Sequence, residues 1–97
     1  MIKLRNVVET AEKYIANLEQ AFKDMKMKRP PIGNLPVDEV LDQALRYLED
    51  AKYYLEKGDP LTAIASSSYS EGLIDALRLL SIVEVSWRRG RGRGFDG

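Results

Sequence analysis

The sequence predicts an all-α fold: a three-helix antiparallel bundle followed by a basic, Gly/Arg-rich C-terminal tail. Three observations carry this. Apolar residues recur at alternating spacings of four and three through three separate segments, as on one stripe of an amphipathic helix. Two sets of breakers, Pro30-Pro31 with Gly33-Asn34 and then Gly58-Asp59-Pro60, separate those segments. A 97-residue chain with 44% hydrophobic and 31% charged residues has material for one modest core and is not composed like a disordered segment. The bundle is expected over residues 1–87 and the tail over 88–97.

The first helix is expected over about 4–26. Ala11, Ile15, Leu18, Phe22 and Met25 form its stripe, with Val8 extending it. The following Pro30-Pro31 cannot continue a helix, and Arg29 before them is pushed to an extended conformation. The second helix is expected over about 37–57, on Val37, Leu41, Ala44, Leu48, Ala51 and Leu55. Asp38, Glu39 and Asp42 suit its N-terminus, where the helix dipole favours negative charge.

Gly58 suits the left-handed position after a helix end. Asp59 can cap the next helix, and Pro60 fits its first position, where no N–H is needed. The third helix is expected over about 60–80. Leu61, Ile64, Leu73, Ile74, Leu77, Leu79 and Leu80 cover much of its circumference, which marks it as the central helix, part of it left uncovered. Ala65, Ser68, Gly72 and Ala76 make a separate small stripe, and Gly72 is expected to mark a close helix approach. Beyond it, Ile82, Val83 and Val85 either extend the helix or form a short extended segment, and Trp87 is placed to fold back on the bundle.

The segment Tyr53 to Leu80 resembles the short archaeal family catalogued as domain of unknown function 357. The residues that carry the resemblance are Glu56-Lys57-Gly58-Asp59, then Ala63, Ala65, Ser68, Tyr69, Gly72, Asp75 and Ala76. The chain departs from the family pattern at Pro60, where an aromatic is common, and at Glu71-Gly72-Leu73, where His-Gly-Trp is common. The resemblance implies a small helical bundle in an archaeal cytoplasm. It also implies an accessory role, since some relatives look joined to a nucleotidyltransferase-like domain. It brings no activity with it.

Composition excludes several chemistries. With no cysteine and no histidine, there is no disulfide framework, no thiolate metal site and no Ser-His or Cys-His catalytic pair. No apolar run is long enough for a membrane span, and no Gly-rich phosphate loop is present. No cofactor is expected, and the expectation is a protein that is not an enzyme.

Candidate sites remain. Glu71, Asp75 and Arg78 are spaced four and three apart on the third helix, as either an acidic site or an intrahelical ion network. Buried on a central helix, Asp75 needs a partner, and Arg78 or Tyr69 is the candidate. Tyr69 also clusters with Tyr47, Tyr53 and Tyr54 around the hairpin, as a ligand cleft with Ser66, Ser67 and Ser70 or as rings at a core edge.

The net charge is zero, but residues 88–97 carry four arginines against one aspartate, so the tail is +3 and the rest of the chain −3. Arg88, Arg89, Arg91 and Arg93 are the candidates for nucleic-acid contact, and four cations support only weak, non-specific RNA binding. The leading expectation is a protein-interaction or adaptor module that docks a protein partner or forms a homodimer. The alternatives are an RNA-associated accessory protein using the tail, and a helper subunit of a nucleotidyltransferase-like enzyme.

Overall fold

A computed structural model of the chain describes residues 4–28, 33 and 35–87. The 88–97 tail and its candidate arginines lie outside the described residues. The fold is an all-α bundle of three helices, α1 (Leu4–Asp24), α2 (Val37–Glu56) and α3 (Pro60–Leu79). Two short strands, β1 (Lys26–Met27) and β2 (Val83–Glu84), close one end as an antiparallel pair.

The α2–α3 hairpin forms as its turn residues dictate. Gly58 has φ +85°, its N–H bonds to the Leu55 carbonyl at 3.1 Å, and the Asp59 N–H bonds to the Tyr54 carbonyl at 2.8 Å. Together these are a Schellman cap, which satisfies carbonyls the helix end leaves free. The Asp59 side chain accepts from the Thr62 N–H at 3.2 Å, and Pro60 opens α3.

The core is built from Ile15, Leu18, Ala44, Leu48, Ala51 and Ile74, with Phe22, Met25, Leu55 and Leu73 packed around it. On α1, Ala11 and Ala21 are also buried. α3 touches both other helices, whereas α1 and α2 touch each other least. Its buried side is not the leucine-rich one: Ala63, Ser66, Ser67, Ser70, Ile74 and Leu77 face inward.

Two of those serines are satisfied internally. Ser67 Oγ donates to the Ala63 carbonyl at 2.9 Å, and Ser70 Oγ crosses to the Ala44 carbonyl on α2 at 2.6 Å. Small residues on both sides, Ala44 and Ala51 against Ala63, Ser67 and Ser70, let α2 and α3 lie close. The close approach expected at Gly72 is therefore corrected. Ala65, Ser68, Gly72 and Ala76 are exposed, and among the described residues nothing lies within 4 Å of where a Gly72 Cβ would sit. Hydroxyls disguise the true packing stripe, because their burial depends on a carbonyl acceptor that is not visible in a hydropathy pattern.

All three helices end one or two residues before their expected bounds. α1 stops at Asp24, because Lys26–Met27 leaves the helix to pair with Val83–Glu84, and the Lys28 N–H adds a bond to the Ile82 carbonyl at 2.8 Å. α3 stops at Leu79. Ser81 takes φ +62°, and the bonds Ser81 N–H to Arg78 carbonyl and Ile82 N–H to Leu77 carbonyl, both 2.9 Å, form a second Schellman cap. The chain then turns back, and Ile82 and Val83 bury against Val37 and Leu77 as a second small cluster. The extended alternative for residues 82–85 is the one the fold adopts.

Candidate functional site

The four residues singled out on α3 do not form one site. Asp75 and Arg78 pair, with Arg78 Nε donating to Asp75 Oδ1 at 2.7 Å. The same oxygen accepts the indole N–H of Trp87 at 3.0 Å. Asp75 is thus the point where the C-terminal segment is pinned to α3. The Arg78 bond holds its carboxyl below the usual range; partial burial works against this, and the Trp87 bond adds to it. Glu71 lies along the same edge of α3, half-buried and with a partner of its own. Among the described residues, no group of three or more acidic side chains is placed to hold a metal ion.

Tyr69 lies on the opposite edge of α3. Its ring packs on Tyr47 of α2, with centroids 4.3 Å apart and planes tilted by 52°. Tyr53 and Tyr54 form a separate edge-on pair at 5.2 Å, with Lys57 Nζ 5.5 Å from the Tyr53 ring. The serines proposed to line a tyrosine cleft are buried between helices instead. Asp75 meets Arg78 as one of its two expected partners; Trp87 takes the place given to Tyr69.

Two surface hollows among the described residues lie elsewhere. One open groove of about 440 Å³ runs between α1 and α2, lined by Ala16, Phe22 and Leu48. Lys52 at its edge sits 3.0 Å from Glu19 and 3.7 Å from Glu49. A second, of similar volume, lies between Phe22, Met25, Met27, Leu41 and Leu45, rimmed by Asp38 and Asp42.

The most unusual surface is the outer face of α3. Leu61, Leu79 and Leu80 are 69%, 70% and 63% exposed, and the expected uncovered part of the helix is found there. Between them run Ala65, Ser68, Gly72 and Ala76, all exposed. The charged residues of α3, Glu71, Asp75 and Arg78, all keep to one edge, so this strip is uncharged from end to end. The exposed faces of α1 and α2 are instead dense in Glu, Asp and Lys. The strip was legible as small and apolar residues at helical spacing, but its small residues were expected at a helix contact and lie on the surface instead.

Fold and surface define a small all-α bundle with an uncharged outer helix face. The chain belongs to the family of proteins of unknown function DUF357, whose model matches residues 13–83, from within α1 to the first residue of β2. No curated protein matches the chain.

Proposed function

We propose that this protein is a non-enzymatic interaction module, an adaptor in an archaeal cytoplasm, that binds protein through the outer face of α3. The observation that carries this is the uncharged strip bounded by Leu61 and by Leu79 and Leu80. An exposed leucine alone needs no explanation, but contiguous apolar exposure along a whole helix marks interaction surfaces. The absence of histidine and cysteine from the sequence supports a role without catalysis. The test is a Leu61→Lys, Leu79→Lys double variant, used as bait beside the wild type in a native lysate. Its far-UV circular dichroism should be unchanged and its captured proteins should be lost. Capture identical to wild type overturns the reading.

A second reading, binding of RNA, gains one observation. The β1–β2 pair brings exposed Lys26 and Lys28 against residues 82–84, which precede the arginine tail in sequence. Each added phosphate contact steepens the salt dependence of single-strand binding by about 0.7. A Lys26→Glu, Lys28→Glu variant should therefore bind single-stranded RNA with a slope shallower by about 1.4. An unchanged slope removes these lysines from the surface.

A further inference from the structure

We propose that residues 82–87 form an exchangeable strap, which a second copy of this chain can supply in place of the chain's own, with Ser81 as the hinge. The surface concerned is the seat of that segment, not the outer face of α3, and its occupant is visible. Val83 is buried and Val85 and Trp87 are half-buried, whereas Glu84 and Ser86 between them are exposed. That is the alternation of an extended segment with one face inward.

The strap is held from two sides. Its backbone pairs with β1, with Lys26 opposite Glu84, Met27 opposite Val83, and the Lys28 N–H on the Ile82 carbonyl at 2.8 Å. At its far end Trp87 donates to Asp75 of α3 at 3.0 Å. Val83 packs with Val37 and Leu77 in one cluster, and Trp87 packs against the main core. Every one of these partners precedes the hinge in sequence. A strap arriving from another copy therefore makes the same contacts, as in any exchange of an identical element between protomers.

The closed and exchanged forms differ at Ser81. It holds φ +62°, where the other positive-φ positions among the described residues, Gly33 and Gly58, are glycines. The left-handed region disfavours a residue with a Cβ by about tenfold. The cap bonds there are crossed: the Ser81 N–H takes the Arg78 carbonyl and the Ile82 N–H takes the Leu77 carbonyl, both at 2.9 Å. If α3 runs on through Ser81, the same two N–H groups take the Leu77 and Arg78 carbonyls in helical order. Straightening thus relieves the left-handed backbone, loses no hydrogen bond, and carries the strap away from its own seat.

Two terms set the balance. Joining two chains costs translational and rotational freedom, so a dilute copy closes on itself. Each exchanged dimer relieves two hinges, so rising concentration favours it. Leu79 and Leu80, 70% and 63% exposed, stand just before the hinge, where two exchanging chains cross.

Disulfide trapping tests the exchange, since the sequence has no cysteine to interfere. Lys26 and Glu84 are exposed and directly opposite in the strand pair, a separation a disulfide spans. Full-length Lys26→Cys and Glu84→Cys chains, prepared separately, are mixed at about 5 and about 500 μM, the range of a weak association, then warmed and oxidised. Links between the two variants are expected, rising with concentration, with little linking of either variant to itself. Ser81→Gly in both chains removes the strain of the closed form. It should raise the concentration needed for linking by about tenfold for each hinge, about a hundredfold in all. Ser81→Val, whose branched side chain suits the left-handed region less, should lower that concentration. Absence of links between the variants at the higher concentration, or equal linking of each variant with itself, overturns exchange. Linking that Ser81→Gly leaves unchanged overturns Ser81 as the hinge.

Discussion

Trp87 donates its indole N–H to Asp75 Oδ1 at 3.0 Å, and Arg78 Nε donates to that same oxygen at 2.7 Å. One carboxylate oxygen thereby ties the segment after β2 to the third helix. Trp87 is also packed against the main core cluster together with Val85. The last described stretch of chain is thus part of the bundle rather than an appendage to it.

Replacing Asp75 by alanine strips the acceptor from both donors and leaves a half-buried indole N–H. The expected loss is about 1 kcal/mol, read from urea unfolding. A double-mutant cycle with Trp87→Phe should show coupling between the two positions. Additive effects would mean that the bond contributes nothing measurable.

Acid should release the same contact. The Arg78 bond depresses the folded-state carboxyl of Asp75 relative to the unfolded chain, with Trp87 assisting against burial. A depressed carboxylate stabilises the fold above its unfolded pKa, and that contribution disappears as pH falls through the folded value. The sequence has a single tryptophan, so its fluorescence reports the event directly. The expected midpoint lies below the ordinary aspartate range, and a midpoint at or above that range contradicts the assignment.

Gly72→Ala should raise stability. A mid-helix glycine costs about 1 kcal/mol relative to alanine, and nothing stands near the added methyl in the single copy. Differential scanning calorimetry should show a higher melting temperature. A lower one would restore the tight packing that the hydropathy pattern suggested.

Ser70→Leu should do the opposite. Ser70 is fully buried at 0% exposure, 2.6 Å from the Ala44 carbonyl, where two helices meet through small side chains. Overpacking there should cost about 1–3 kcal/mol, perceptible as a lower denaturant midpoint. Ser70→Ala should cost less, about 1 kcal/mol, by losing only the hydrogen bond. Equal effects of the two would show that space at this position is not limiting.

Deleting residues 88–97 should leave the melting temperature within experimental scatter, since a glycine-rich charged sequence buries too little to offset its ordering. Weakened RNA binding is expected from the same truncation. Full retention of salt-sensitive binding would move the affinity to the body of the protein.

The hairpin was readable almost atom by atom, because Gly58, Asp59 and Pro60 each act through local backbone rules. The stripes of α1 and α2 were readable for the same reason. Three features were hidden, two of them for a long-range reason. The inward face of α3 carries three serines, and Ser70 is comfortable there because Ala44 on α2 offers a carbonyl. The second cap uses Ser81, a residue with no sequence signature for φ +62°. The strand pair joins Lys26–Met27 to Val83–Glu84, two segments that lack length or alternation to announce themselves. At the candidate site, the ion pair within one helix was legible, but the arrival of Trp87 depended on the turn after α3.

The strand pair also sets an order of events. The α2–α3 hairpin needs only neighbours in sequence and can close within the earliest steps of folding. β1 must wait for β2, which follows the whole of α2 and α3, so the loop it closes spans both of those helices. On a ribosome, where the chain emerges from its N-terminus, α1 would lack its lock until residues 82–84 leave the exit tunnel. The amide of Lys28, which donates to Ile82, should therefore be among the last to gain protection in pulsed hydrogen exchange during refolding. Early protection there would mean that the two ends of the chain find each other before the hairpin between them is complete.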